Sequence, residues 1–257
     1  MEKATDWKQF WEERSGNATS DFEFDHGLTP GAEVEALSKH ELLNFIDPKS
    51  DESILDAGCG TGGNILLLHS KVKRIVGMDY SGGAVERCRR RIQSSSIENA
   101  EVREGSITQV PLPDSSVDKV LCMSVLQYVD DNEVKLAFKE FARILKDRGV
   151  LVLHVKNISS LYLATLWMAK RAKLLLGMGT KVEHYRSYSW YVRELQSLGF
   201  AVLAYNSFQF FTVEGMPRSV VRFLQKLELK HRNKFPLRLG FLRRHGSELK
   251  IKAHLVR

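Results

Sequence analysis

Apolar and polar positions change their period several times along the chain, and those changes divide it into elements. Trp7, Phe10 and Trp11 fall at helical spacing in an otherwise charged segment, which predicts an N-terminal helix that covers something. Residues 16–31 are polar and contain glycine, the pattern of a loop or lid. A second helix is predicted from Ala32 to Phe45, with Val34, Leu37, Leu42 and Phe45 inward, and it ends at Asp47-Pro48 because proline disfavours helix in the residue before it. From there strand-like and helix-like runs alternate. Strands are expected at Ile54–Ala57, Arg74–Met78, Ala100–Arg103, Val117–Met123 and Val150–Val155. Helices are expected between them at Asn64–His69, Ser81–Ile92 and Asn132–Leu145, with Gly149 ending the last. Ala84, Val85, Cys88 and Ile92 share one helical face, and Val134, Phe138, Phe141, Ile144 and Leu145 share another. Such alternation calls for an α/β protein with a mainly parallel sheet, helices on both faces and ligands beyond the carboxyl ends of the strands.

After Asn157 the pattern changes. Leu161–Met178 mixes apolar residues with Lys170, Arg171 and Lys173, too charged to span a bilayer but suited to a cover helix or an interfacial one. A further helix at Ser189–Leu198 ends at Gly199, strands at Phe200–Tyr205 and Glu248–His254 bring the sheet to seven, and a basic helical stretch lies near Ser219–Lys230.

Length and composition narrow the picture. A chain of 257 residues holds one well-buried core, and 43% hydrophobic with 27% charged residues excludes fibrous and disordered classes. Cys59, Cys88 and Cys122 are odd in number, far apart and set in apolar patterns, as expected of buried thiols in a reducing compartment. No metal-ligand cluster stands out. The first residues lack an apolar signal core, so the expectation is a cytoplasmic protein. The net charge of +7 is uneven: residues 158–257 carry 18 Lys or Arg against 5 Asp or Glu, which leaves −6 for residues 1–157. A basic second half favours an anionic partner, whether phosphate, nucleic acid or an acidic membrane surface, or is simply a solvated face.

The chemistry is concentrated in Ser53-Ile54-Leu55-Asp56-Ala57-Gly58-Cys59-Gly60-Thr61-Gly62-Gly63-Asn64, where a short apolar run ends in an acid and breaks into glycines. Glycines let the backbone turn tightly, so that a ligand can lie against the main chain where the next helix begins. Gly58, Gly60 and Gly63 with Asp79 satisfy a dinucleotide fingerprint; Asp56 with Gly58, Gly60 and Gly62 satisfies instead the acid-and-glycines pattern of an S-adenosylmethionine site. Charge separates the two. A pyrophosphate at this turn would be repelled by a further carboxylate, whereas the ammonium of a methionine moiety is attracted by it.

Four stretches in order, Leu55 to Gly62, Gly77-Met78-Asp79-Tyr80-Ser81, Leu112 to Asp118, and Arg143-Ile144-Leu145-Lys146 before Gly149, resemble those of class I S-adenosylmethionine-dependent methyltransferases that act on small molecules, lipids or quinones. The resemblance runs from Ile54 to about Phe200. It implies a Rossmann-like fold with a helical cap insertion, and S-adenosyl-L-methionine as cofactor. It also implies that Asp56, Gly58, Cys59, Gly60 and Gly62 face the methionine moiety, that Asp79 takes the ribose hydroxyls, and that Tyr80 and Ile107 flank the adenine. Ser124, after the fourth strand, belongs to the same implied set. Where the family often carries an acid after the third strand, this chain has Ser106, a neutral and therefore weaker acceptor for the adenine amino group. The domain organisation expected is a lid at 1–47, a cofactor-binding core at 48–157, and at 158–257 the rest of the same domain with basic amphipathic insertions on the acceptor side.

Methyl transfer from a sulfonium needs alignment first and a base only where the acceptor must lose a proton. Tyr128, His154, Asn157 and the run His184-Tyr185-Arg186 lie near the expected active face, and by resemblance His184 and Arg186 are the preferred substrate-side residues, with Tyr128 beside them. His154, inside an apolar strand, reads better as a core histidine. The acceptor expected is a small molecule or a lipid-like compound, with peripheral contact with an anionic membrane as one option. An RNA methyltransferase and a non-catalytic cofactor-binding scaffold or partner subunit stay open as alternatives.

Overall fold

Consecutive residues of the central strands feed two different apolar clusters, which is what a sheet covered on both faces requires. The computed structural model describes residues 7–17, 32–176, 183–208, 219–220, 223 and 246–256. Among the described residues seven strands form one sheet: β1 (Ser53–Ala57), β2 (Arg74–Asp79), β3 (Ala100–Glu104), β4 (Val117–Met123), β5 (Leu145–Lys156), β6 (Phe200–Phe208) and β7 (Glu248–Leu255). Leu55, Val76, Val120, Cys122, Leu151 and Leu153 point into one cluster, while Ile54, Ile75, Leu121 and Val152 point into the other. The period of two along each strand thus maps directly onto two cores.

The strand order is β3-β2-β1-β4-β5-β7-β6. Strands β1 to β5 pair in parallel, and β7 runs antiparallel between β5 and β6. The order reverses between β1 and β4, so the loops leaving their carboxyl ends diverge there and leave a crevice, the usual ligand position in open α/β sheets.

The helices are α1 (Trp7–Asn17), α2 (Ala32–Ile46), α3 (Gly63–Leu68), α4 (Gly82–Ser94), α5 (Asp131–Ile144), α6 (Leu161–Leu175) and α7 (Tyr188–Gln196). Their ends follow local chemistry. The Asp130 carboxylate accepts from Asn132 N and Glu133 N at 2.8 and 2.9 Å, and Glu133 accepts from Asp130 N at 2.9 Å, a complete capping box for α5. Ser81 caps α4 by accepting from Ala84 N at 3.2 Å. Helix α5 buries Val134, Ala137, Phe138, Phe141 and Ile144, and each large apolar side chain there contributes about 1.5–3 kcal/mol.

Gly149, expected to end α5, lies instead within β5, and the helix stops at Ile144. The reason is competition for the last carbonyls. Ser115 N donates to Arg143 O at 3.0 Å and Ser116 N to Ile144 O at 2.8 Å, so the preceding loop takes the acceptors a further turn would have used. The Arg143 guanidinium fastens the same loop through Val110 O, Leu112 O and Asp114. Pairing of β5 with β4 then shifts register between Val117 and Lys119, with Arg148 at φ 57° beside the glycine. Apart from its residues 219, 220 and 223, the helix expected at Ser219–Lys230 lies outside the described residues, as does nearly all of the 16–31 loop.

Candidate active site

Strand β1 delivers Asp56 and Ala57 to the carboxyl edge of the sheet, and the three glycines that follow all have left-handed backbones: Gly58 at φ 81°, Gly60 at φ 53° and Gly62 at φ 87°. Close packing adds a second requirement. A Cβ at Gly58 would sit 2.1 Å from Val125 Cγ2, and one at Gly62 would sit 2.6 Å from Cys88 Sγ. The loop is tied to β2, since Gly58 N and Cys59 N both donate to Met78 O, at 2.7 and 3.0 Å. Asp79 then orients both sides of the crevice: its Oδ2 accepts from Gly60 N at 2.9 Å and its Oδ1 from Ser81 N at 3.0 Å. Asp56 is fully buried behind the loop and accepts from Asn64 Nδ2 at 3.1 Å. A hydrogen bond with Cys88 and burial push the Cys59 thiol well above its usual range, so it faces the loop as a neutral group.

Tyr80 is half-buried next to Asp79. Ile107 is buried in the larger apolar cluster with Val110 and Leu112, so much of its side chain is core rather than ligand surface. The Ser106 hydroxyl lies 2.8 Å from Thr108 Oγ1 and accepts from Thr108 N at 3.2 Å, a local turn that occupies part of its capacity.

Helix α1 lies over this edge of the sheet. Lys8 pairs with Glu104 at the end of β3 at 3.1 Å, and Trp7 and Trp11 pack on Tyr128 with ring centroids 4.7 and 5.3 Å apart. Glu12 accepts from Gly82 N and Gly83 N at 2.7 and 3.2 Å, placing a carboxylate on the N-terminus of α4. The Arg87 guanidinium donates to Ser15 O at 2.7 and 3.0 Å. The aromatic residues of α1 therefore cover Tyr128, while its polar residues hold it to α4 and β3.

On the far side of Tyr128 the ends of β5 and β7 bring together ionisable groups that are remote in sequence. Glu248 is 5% exposed; one of its oxygens pairs with Lys156 and the other lies 3.0 Å from His154 Nε2. Burial pushes the Glu248 carboxyl up, but Lys156 and His154 outweigh it and hold it below its ordinary value. Burial likewise pushes Lys156 down, and Glu248 more than reverses that. The Tyr185 hydroxyl donates to Glu183, which also pairs with Lys170 at 3.0 Å. Burial, and then the Glu183 carboxylate, raise the Tyr185 phenol well above its usual range, and the same two causes in the same order raise Tyr128. His154 is half-buried in this polar group and not in the apolar core, contrary to the expectation for a histidine in that strand.

The segment 183–186 is extended, with His184 N donating to Gln127 O at 2.7 Å and Arg186 bridged to Asn157. Alternation separates its side chains. Glu183 and Tyr185 join the group around Tyr128 and Glu248, whereas His184 and Arg186 face the start of α5. His184 is exposed; partial burial and the Arg186 cation lower its pKa, against the opposing pull of Asp131, Asp130 and Glu133. Arg186, 5% exposed, spends its guanidinium on Leu126 O at 2.6 Å, Val129 O at 2.7 Å and Asp131 at 2.7 Å, stacked over Trp190. That geometry makes it a brace for the turn carrying Tyr128, and not the acceptor-facing residue expected. Asn157 is fully buried and donates to Gly246 O at 2.9 Å, a structural role. Of the residues the sequence placed near the active face, the structure brings Tyr128, His154 and Tyr185 to the polar group, and of the three preferred on the substrate side only Tyr128. Glu183, Lys156 and Glu248 were missed, and only the period of two through 183–186 could have signalled the first.

Residues 55–153 match the family described as a methyltransferase domain. Over 104 residues the sequence is 31% identical to a protein of Mycolicibacterium smegmatis named as a probable S-adenosylmethionine-dependent methyltransferase, a stretch making up 40% of this chain and 38% of that protein. It is 32% identical over 120 residues to a malonyl-[acyl-carrier protein] O-methyltransferase of Serratia marcescens, covering 47% of this chain and 44% of that one. The matched stretch thus spans less than half the length of either relative. A structure of Haemonchus contortus phosphoethanolamine N-methyltransferase 1 with phosphoethanolamine and S-adenosylhomocysteine superposes with a TM-score of 0.68 at 17% identity, over 97% of this chain and 48% of that one, a likeness of fold. Over residues 55–153 the chain is similar to S-adenosylmethionine-dependent methyltransferases, and its fold is that of their class I. S-adenosylmethionine is the cofactor of that class. The residues fit it: the loop carries no side chain at positions 58, 60 and 62, and Asp56 and Asp79 would supply acceptors for a cationic amino acid end and ribose hydroxyls.

A Cβ at Gly83 would lie 1.9 Å from Ser15 Oγ, so Gly83→Ala should loosen α1 while the sheet stays intact. A packing clash of about 1–3 kcal/mol predicts that amide exchange across residues 7–17 quickens roughly tenfold or more, with strand protection unchanged. Unaltered exchange in α1 would contradict its docking on α4.

Proposed function

We propose that the chain moves a methyl group from S-adenosylmethionine to an O, N or C nucleophile of a small-molecule or lipid-like acceptor held at the carboxyl ends of β4 and β5. The observation that carries this is the juxtaposition of the glycine loop with a buried ionisable group under an aromatic helix. Tyr128 touches both Trp7 and Trp11, and the titratable residues Lys156, Glu183, Tyr185 and Glu248 gather beyond it. Such a lining suits an acceptor with a polar or charged end rather than a wholly apolar one. The names of the relative and the structural neighbour, with a malonyl unit and phosphoethanolamine, support the same class.

In this reading Asp56 and the Gly58–Gly62 loop hold the amino acid end of the cofactor, Asp79 accepts from the ribose, and Tyr80 with the exposed edge of Ile107 borders the adenine. Bound there, the cofactor supplies an electrophilic methyl group on a sulfonium, with a good leaving group already present. The protein's part is to orient and to exclude water. Helix α1 closes the crevice with aromatic side chains, Arg186 fixes the turn bearing Tyr128, and the Lys156–Glu248 pair gives the acceptor side a set polarity.

A specific feature favours a lipidic acceptor reached at a membrane surface. Helix α6 leaves Met168 and Leu175 exposed, at 57 and 85%, with Leu176 at 74% in the turn after it, on the same segment as the exposed Arg171 and Lys173. Apolar side chains beside cations are what an interfacial helix presents to anionic headgroups. Among the described residues no helix is long and apolar enough to cross a membrane.

Two measurements follow. Asp79→Asn removes the charge from an acceptor of two backbone N–H groups and, in this reading, of the ribose, so S-adenosylhomocysteine affinity by calorimetry should fall about tenfold to a hundredfold. Unchanged affinity would refute the placement of the cofactor. Sedimentation with phosphatidylserine vesicles should retain the chain at low salt, and the Leu175→Asp, Leu176→Asp double variant should release it. Equal recovery with neutral vesicles, or no effect of the substitutions, would leave the soluble-acceptor reading alone.

A further inference from the structure

The turn after β4 holds one residue in an uncommon backbone state, Ser124 at φ 59°, exposed and next to the Val125 side chain that abuts Gly58. Serine tolerates that conformation only at a cost, so the neighbours that hold it there matter. Both contacts come from one residue: Ser124 N donates to His154 O at 2.8 Å, and Ser124 Oγ lies 3.2 Å from His154 Nδ1. The opposite ring nitrogen, Nε2, is 3.0 Å from Glu248 Oε2. Glu248 is buried and held ionised by Lys156 on its other oxygen, so a carboxylate, an imidazole and an exposed hydroxyl stand in line from the interior to the edge of the cofactor loop.

We propose that Ser124, His154 and Glu248 form a proton relay that serves acceptors carrying a removable proton, an O–H or N–H group. The proposal rests on the methyltransferase reading for its purpose but on the three side chains for its existence. As the acceptor X–H attacks, a lone pair on X forms the X–CH3 bond, the pair of the broken methyl–sulfur bond stays on sulfur, and the X–H pair remains on X as its proton leaves. The acceptor's proton passes to Ser124 Oγ while the serine's own proton passes to His154 Nδ1. The resulting imidazolium is stabilised by Glu248 and, being partly exposed, returns its proton to water after product leaves. Ser124 is the group that touches the acceptor; Glu248 is a positioning residue that fixes the tautomer with hydrogen on Nε2.

The test needs no acceptor. The three native cysteines are buried, so in a Ser124→Cys variant iodoacetamide reports on position 124. A thiol paired with an imidazole forms thiolate at lower pH than an isolated one. At pH 6 the variant should be alkylated at least about tenfold faster than the same variant with His154→Gln, with Glu248→Gln between the two. Long-range proton–nitrogen spectra of the unaltered protein should show the His154 tautomer with hydrogen on Nε2 and a bare Nδ1. Equal alkylation rates with and without His154, or a hydrogen on Nδ1, would each overturn the relay. Calorimetry with S-adenosylhomocysteine on the same variants checks that they are folded and keeps the outcomes apart. Cofactor binding without the relay signatures refutes the relay alone, and the signatures without cofactor binding refute the methyltransferase reading alone.

Discussion

The site depends on how closely two loops approach at the point where the strand order reverses. The backbone after β1 passes so near Val125, in the turn after β4, that nothing larger than glycine fits at position 58. That contact sets the width of the crevice, and the rest is built outward from it. Met78 O anchors the loop from the side of β2, Asp79 spans from Gly60 to Ser81, and on the opposite side Ser124 is turned toward β5. Parallel pairing of β1 with both β2 and β4 brings all three carboxyl ends to one edge, so the glycine loop and the turns after β2 and β4 come together from the same sheet.

Electrostatics divides that edge into two halves. Near the glycines the fixed groups are acidic, with Asp56 and Asp79 from strand ends and Glu12 lying on the N-terminus of α4, where an anionic ligand would otherwise be drawn. Beyond Tyr128 the charges are paired and partly buried, Lys156 with the buried Glu248 and Lys170 with Glu183. Leaving the buried Glu248 without its partner would be costly, so that pair keeps its side chains in fixed positions.

The sheet was legible because its strands alternate with strongly periodic helices, and the glycine loop because its chemistry is local. The N-terminal helix was legible as a cover from Trp7, Phe10 and Trp11, and the packing of the two tryptophans on Tyr128 answers the question of what it covers. Local pattern failed where distant groups decide. Gly149 looked like a helix stop, but Ser115 and Ser116 end α5 at Ile144, five residues before it. His184 and Arg186 carry the more suggestive chemistry, yet the parity of an extended segment turns Glu183 and Tyr185 toward the polar group instead. Glu248 lies in the last strand, and only its insertion beside β5 brings it to His154 and Lys156. No reading of nearby residues predicts an antiparallel neighbour from the far end of the chain.

The central claim, that one crevice at the β1–β4 switch point takes the methyl donor and opens to the acceptor beside Tyr128, is tested most directly by a crystal structure with S-adenosylhomocysteine. The ligand's amino acid end should lie on Asp56 and the Gly58–Gly62 loop, its ribose hydroxyls on Asp79, and its sulfur should face Ser124 and Tyr128 beneath α1. A ligand bound elsewhere, or one whose sulfur points away from Ser124 and Tyr128, would contradict it.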